Sequence, residues 1–250
     1  MDGLPQEIRS HIVSFLPTKE AIRTSILSKK WKTVCSSLSN FNFEQSYSKE
    51  GKQLSLQQFI EIIYQTLGQH DESDINIFQL NLNDFLQNPD EFVPHIYKWI
   101  SFATSHNVHQ LHLFGSAEGL KMLPFCLVSC NSLTVLSLTC INLILSSTNI
   151  IRLPNLKTLD LCSVTFSDVG VTNQLFSSCP ALESLTISYC FWTNSFNVLT
   201  ISSPNLKDFT LGYFECFQEI DLSTKNLQKL FYQGLSPNLK TEIISTRGPL

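Results

Sequence analysis

Hydrophobic positions along this chain change period twice, from a helical spacing, through a mixed segment, to a strand-based repeat. Near the start, Ile8, Ile12, Phe15 and Leu16 fall at i, i+4, i+7 and i+8, which places them on one face of a helix. Pro5 suits the first turn of that helix, Glu7 suits its positive end, and Pro17 stops it. Thr18 is placed to cap a second helix carrying Ala21, Ile22, Ser25 and Ile26, and Ser28 a third carrying Trp31, Val34, Cys35 and Leu38. Residues 40–52 are polar and uneven, a connector or a strand remnant. Leu56, Phe59, Ile60, Ile63 and Leu67 then recur with helical period up to a stop at Gly68. INIFQLNL at 75–82 alternates like a half-buried strand, Phe92, Ile96, Trp99 and Ile100 suggest another helix, and VHQLHLF from Val108 another strand.

From there a phrase repeats: LTVLSL from Leu133, LKTLDL from Leu156, LESLTI from Leu182 and LKDFTL from Leu206. With Val108 before and Leu227 after, the intervals are 25, 23, 26, 24 and 21 residues. That spacing predicts a leucine-rich solenoid in which each unit gives a short strand and a helical or irregular return. The leucines point inward from a parallel sheet on the concave side, and the residues between them look out. Thr134, Ser137 and Thr210 are outward positions, and Lys157, Asp160, Glu183, Thr186, Lys207 and Asp208 are the candidates for holding a target. They are small, polar and mixed in sign, which argues against a nucleic-acid funnel. Tyr189, Phe191, Trp192, Tyr213 and Phe214 crowd the ends of two adjacent strands, where they serve either as interface anchors or as core. Many solenoids of this type place an asparagine three residues past the last leucine. Here Ile141, Val164, Cys190 and Phe214 stand there, so the turns should close by packing and the repeats should be irregular. CNSL, CPAL, SPNL and LPNL mark the return into each strand.

Composition narrows the chemistry. A formal net charge of −4 makes no case for nucleic acid, although residues 1–52 hold eight Lys or Arg against five acids. The eight cysteines show no paired metal spacing beyond Cys126 and Cys130, and most sit in or beside the leucine phrases as small apolar thiols. No apolar run reaches the roughly 18 to 20 residues of a membrane span. The acids of DESD at 71–74 with Asp84, Asp90 and Glu91 fit no calcium loop and suit a solvated face. His109 and His112 flank Leu111 three apart, and neither they, His106 nor His11 make a metal site. No nucleophile elbow, zinc-protease motif or phosphate loop occurs, and no cysteine has a basic partner at a recognisable spacing.

Three short helices cannot bury all of their apolar surface among themselves, so they cover either the following domain or another protein. Here a resemblance bears on the choice. LPQEI and SFLPTKEAIRTSILSKKW, ending on Trp31, resemble the F-box of the large plant class of F-box proteins with leucine-rich repeats, and HIYKWISFATSHNVHQLHL resembles a later block of the same family. The resemblance implies an α/β chain: a three-helix F-box over 1–40, linker helices and degenerate first repeats over 41–107, and an irregular leucine-rich-repeat solenoid over 108–250. The solenoid reads as truncated at its C-terminus, since no polar capping unit follows SPNLKTEI. It implies docking onto a Skp-family adaptor through Leu4, Pro5, Ile8, Ile12, Leu16, Leu27 and Trp31, and through that adaptor onto cullin and RING subunits. The implied role is a non-catalytic substrate-recognition subunit of a ubiquitin ligase, in the nucleus or cytoplasm, with an unknown protein target and without cofactor, metal, nucleic acid or membrane. The alternative is a repeat scaffold that has no ligase association. An enzyme with an unrecognised site in the middle segment would need convergent polar groups in a deep pocket.

Overall fold

In the computed structural model, the described residues are 3–16, 18–44, 55–82, 89–115, 124–143, 151–166, 169–193, 198–213, 219–233 and 238–241. The opening forms α1 (Gln6–Ser14), α2 (Thr18–Arg23), a 3-10 turn (Thr24–Ile26) and α3 (Lys29–Ser36). Val13, Ala21, Trp31, Val34 and Leu38 are buried between and beneath them, and the Cys35 thiol donates to the Ala21 carbonyl at 3.0 Å. Ser28 stands at the N-cap of α3 in an extended conformation, with no capping bond from its side chain. Thr18 is the first residue of α2. It is buried, and its hydroxyl oxygen accepts from the Asn42 backbone N–H at 2.7 Å, tying the helical head to the first strand. Pro17, expected to stop α1, lies outside the described residues.

The rest of the chain winds as a solenoid. Its elements are β1 (Asn40–Phe43), then α4 (Leu56–Leu67), β2 (Ile77–Asn81), α5 (Pro89–Ser105), β3 (Gln110–Phe114), α6 (Phe125–Val128), β4 (Val135–Thr139) and the two-residue β5 (Asn142–Leu143). There follow β6 (Thr158–Cys162), β7 (Thr165–Phe166), α7 (Val169–Ser177), β8 (Ser184–Ser188), β9 (Phe191–Trp192), β10 (Val198–Ile201), β11 (Asp208–Gly212), β12 (Glu219–Leu222), β13 (Lys229–Gln233) and β14 (Asn238–Thr241). One parallel sheet of eight strands runs in the order β1-β2-β3-β4-β6-β8-β11-β13. Residues 41–107 thus supply the first strands of the same sheet, and NFNF is a full strand whose phenylalanines are buried.

Register follows the leucine phrase. Leu111, Leu136, Leu159, Leu185 and Phe209 pair across one inward column, and Leu113, Leu138, Leu161, Ile187 and Leu211 across the next, all buried. Because side chains alternate faces along a strand, this fixes which residues look out. The returns differ along the solenoid. Early ones are helical, with α4 opened by a capping box between Ser55 and Gln58, whereas β10, β12 and β14 form a parallel sheet of their own on the far side. Alternation in VLTI and EIDL buries Leu199, Ile201, Ile220 and Leu222 against the core, which a strand does at no loss of backbone pairing when its neighbours are strands too.

Between strand and return, the chain turns through left-handed residues at Cys140, Ser163, Tyr189 and Tyr213, with φ of 54°, 52°, 53° and 50°. The next residues, Ile141, Val164 and Cys190, are buried in a column, while Phe214 lies outside the described residues. Apolar packing closes these turns on the inside. On the opposite edge, before each strand, a side-chain ladder does occur: Asn155 donates to the Asn131 carbonyl at 2.8 Å, Asn205 to Pro180 at 2.8 Å and Asn226 to Pro204 at 2.7 Å.

Candidate functional site: two interaction surfaces

The first surface is on the helical head. Along α1 the face turned inward carries Arg9 and Val13, at 7% and 1% exposed. The more hydrophobic stripe faces out: Ile8 is 46% exposed, Ile12 39% and Phe15 73%. The 3-10 turn adds Ile26, and Leu27 follows it, both exposed. His11 stands edge-on to Phe15 at 4.7 Å and is itself exposed, part of the same rim. Among the sequence candidates, Pro5, Ile8, Ile12 and Leu27 are on the outside, Leu4 and Leu16 are half-buried, and Trp31 is a core residue at 3% exposure. Phe15 and Ile26 were outside the candidate list, although Phe15 shares the periodicity of Ile8 and Ile12. Arg9 is an oddity of this head, since its Nε and Nη1 groups are buried with no hydrogen-bond partner among the described residues.

The head is fastened to the solenoid on its other side. Asp71 N–H donates to the Ser36 carbonyl at 2.8 Å, and the Asn76 and Ile77 N–H groups both donate to Ser39. The His70 ring lies against Phe41 and meets the Leu38 carbonyl through Nε2 at 2.9 Å. Burial alone would raise the Asp71 carboxyl, but hydrogen bonds from Ser73 and the nearby His70 and His106 outweigh it and leave its pKa below the usual range. Asp74 accepts from Asn107 at 2.8 Å, so DESD is a structured turn. His106 stacks on Phe102 and approaches His70. Asp84 and the side chains of Asp90 and Glu91 lie outside the described residues.

The second surface is the concave face of the eight-stranded sheet. Its central row runs Asn42, Gln79, His112, Ser137, Asp160, Thr186, Thr210 and Phe231, one residue per strand. Burial lowers the His112 pKa, and the Asp160 carboxylate acts against that shift. Lys157, Glu183 and Lys207 are placed elsewhere, on the edge where the strands begin. There Lys207 Nζ meets Glu183 at 2.6 Å and Lys157 Nζ meets it at 3.9 Å. The hydrogen bond from Lys207, then its charge, hold the Glu183 pKa below the ordinary value. Asp208 pairs with Lys229 at 3.4 Å on the same edge. On the opposite edge, where the strands end, Tyr189 and Tyr213 stack with centroids 4.6 Å apart and planes 10° from parallel. Both rings are nearly half exposed and Phe191 slightly more than half, whereas Trp192 is buried against Phe166.

Among the described residues, no activated nucleophile is found on either surface. Burial pushes the Cys179 and Cys190 thiols up to about 12, and it also raises Cys35, so these are packing groups and not activated nucleophiles. Among the described residues, no group of three or more His, Cys, Asp or Glu is placed to hold a metal, and no helix is long and apolar enough to cross a membrane.

A helical head with an open apolar stripe, set on a parallel-sheet solenoid with a polar concave face, is the class of fold that the described residues define. Comparison with known proteins gives the class its family. A model of the F-box domain matches residues 1–43, and a model of the repeats described as "FBD-associated F-box protein At5g56370, LRR repeats" matches residues 96–246. The chain is 33% identical to the Arabidopsis thaliana FBD-associated F-box protein At4g10400 over 85% of its own length and 50% of that protein. It is 34% identical to F-box protein At4g09920 of the same plant, covering 74% of the chain and 57% of the relative. With F-box/LRR-repeat protein At3g58900 it shares 32% identity over 89% of the chain and 67% of the relative. The chain belongs to the FBD-associated F-box/leucine-rich-repeat family. It spans about half the length of the first two of these relatives.

Proposed function

We propose that this chain is a substrate-recognition subunit of a Skp/cullin/F-box ubiquitin ligase, acting in the nucleus or cytoplasm. The F-box docks a Skp-family adaptor, which brings the cullin and RING subunits, and the solenoid presents a target protein. The polypeptide performs no covalent step. Its contribution is proximity: a target lysine held in the complex meets the charged conjugating enzyme at a raised effective concentration. The observation that carries this reading is the open stripe. Of twelve large apolar side chains left exposed among the described residues, five lie between Ile8 and Leu27. Exposed apolar surface gathered on one small helical head is what a partner groove covers.

The test is capture of a purified Skp-family adaptor by the full chain. Ile12→Asp combined with Leu27→Asp places two charges on the exposed stripe while sparing the Val13–Trp31–Val34 core. Removing anchors of this kind costs about 2 kcal/mol or more each, about 4 kcal/mol together, so capture should fall by about 1,000-fold with the melting temperature nearly unchanged. Capture by the double variant as strong as by wild type would move the contact elsewhere. Absence of capture by the wild-type chain would leave the repeat scaffold without ligase association as the better reading.

A further inference from the structure

The concave face has two rims and a floor, and they differ in one respect that identifies what would lie between them. Along the rim where strands begin, the charges are mutually satisfied: Glu183 by Lys207 and Lys157, Asp208 by Lys229. On the floor, Asp160 is flanked by Ser137 and Thr186, and no cation lies within ion-pair distance of its carboxylate among the described residues. The charge nearest in effect is His112, two strands away, whose neutral form burial favours. A carboxylate left unpaired amid hydroxyl groups is complementary to a cation.

The opposite rim is aromatic. Gln233 donates through Nε2 to the Tyr213 hydroxyl, Tyr213 stacks on Tyr189, and Tyr189 directly follows Ser188, which pairs in register with Cys162, the residue two beyond Asp160 on the same face of β6. The tyrosines thereby reach from β13 back towards β6. Both occupy left-handed turn positions that glycine would adopt more easily, and both remain nearly half exposed, so burial of their rings does not explain their presence. Exposed ring faces on one rim and an open carboxylate on the adjoining floor, carried by neighbouring strands, offer a receptor for the aliphatic stem and charged head of a lysine or arginine.

We infer that the concave face binds an extended segment of a partner protein that places a lysine or arginine against Asp160 and the Tyr189–Tyr213 stack. This names the chemistry of the target and rests on the solenoid being the target-binding part of the proposed ligase subunit. The alternatives, a neutral or acidic segment, are outcomes of the same experiment.

The full chain is used to select from a random twelve-residue peptide display library, in parallel with two variants. Asp160→Asn removes the charge and keeps the shape. Tyr189→Gly combined with Tyr213→Gly removes the rings at positions where glycine fits the backbone, so the fold should be kept, with melting temperature and circular dichroism as controls. Peptides recovered by wild type should be enriched in Lys and Arg at least about tenfold over the library. That enrichment should vanish with Asp160→Asn and drop several-fold with the double glycine variant. If either variant fails to melt cooperatively, Asp160→Ser or Tyr189→Ser replaces it. Recovery of neutral or acidic peptides, recovery of none above background, or cationic enrichment that persists in Asp160→Asn would overturn the inference. Adaptor capture measured on the same preparation separates the two readings: capture without cationic selection sinks this one alone, and cationic selection without capture sinks only the ligase assignment.

Discussion

Side chains at the turns after the strands carry a backbone cost that the leucines do not. A non-glycine residue in the left-handed region is disfavoured by roughly 1 kcal/mol, and Cys140, Ser163, Tyr189 and Tyr213 all sit there. Ser163 has no ring stack to lose, so Ser163→Gly should stabilise the chain by about 1 kcal/mol, or ~2–4 °C in melting temperature for a protein of this size. Thr158→Gly, on an extended strand residue, should shift the midpoint the other way; equal shifts from the two substitutions would remove backbone strain as the cause. This turn geometry left no mark in the sequence, because neither glycine nor asparagine marks it. The orientation of α1 was hidden for a related reason. Periodicity found Ile8, Ile12, Phe15 and Leu16 as one face, yet Arg9 and Val13 were buried in place of Ile8, Ile12 and Phe15. Apolar spacing reports that a face exists, and it is blind to whether the chain or a partner covers it.

Strands were the most legible elements, since a strict two-residue alternation admits one register and LxxLxL supplies it four times. Returns were less so. Short apolar runs such as VLTI suit a buried helix turn as well as a strand, and only the neighbouring return decides. LPNL and SPNL mark the return into each strand, but the bonding partner of their asparagine is a full repeat away in sequence. Asn205 donates to Pro180 and Asn155 to Asn131, each linking one unit to the one before. Such a bond contributes about 1 kcal/mol even at the surface. Asn205→Ala should therefore lower stability by that amount in a denaturant titration. Adding Asn155→Ala should double the loss, because the two bonds share no partner. A double variant no worse than the single would mean that the ladder is decorative and that the leucine columns alone hold adjacent repeats in place.

At the scale of the whole molecule, the two ends of the sheet are unequal. A solenoid stacks like a one-dimensional array, so its terminal units lack a neighbour and need a cap. The helical head serves as that cap at β1: α2 lies beside the strand, Thr18 receives the Asn42 N–H, and Phe41 and Phe43 are 1% and 4% exposed. At the other end no described element pairs with the outer edge of β13, and Leu230, which continues a column buried everywhere else, is 40% exposed. The F-box thus has a structural duty beside its outward stripe, which explains why its inward residues resist reading as interface. Hydrogen exchange should expose the asymmetry, since protection tracks burial and local contact. Amides in β4, β6 and β8 should exchange slowest, β1 close to them, and β13 orders of magnitude faster. Thr18→Val, which keeps the shape of the buried side chain and removes the acceptor, should quicken exchange in β1, at Asn42 above all, and leave β6 unchanged. Protection that is even across all eight strands, or a Thr18→Val effect that spreads to β6, would show that the head and the solenoid unfold as one unit and that capping is not a separable role.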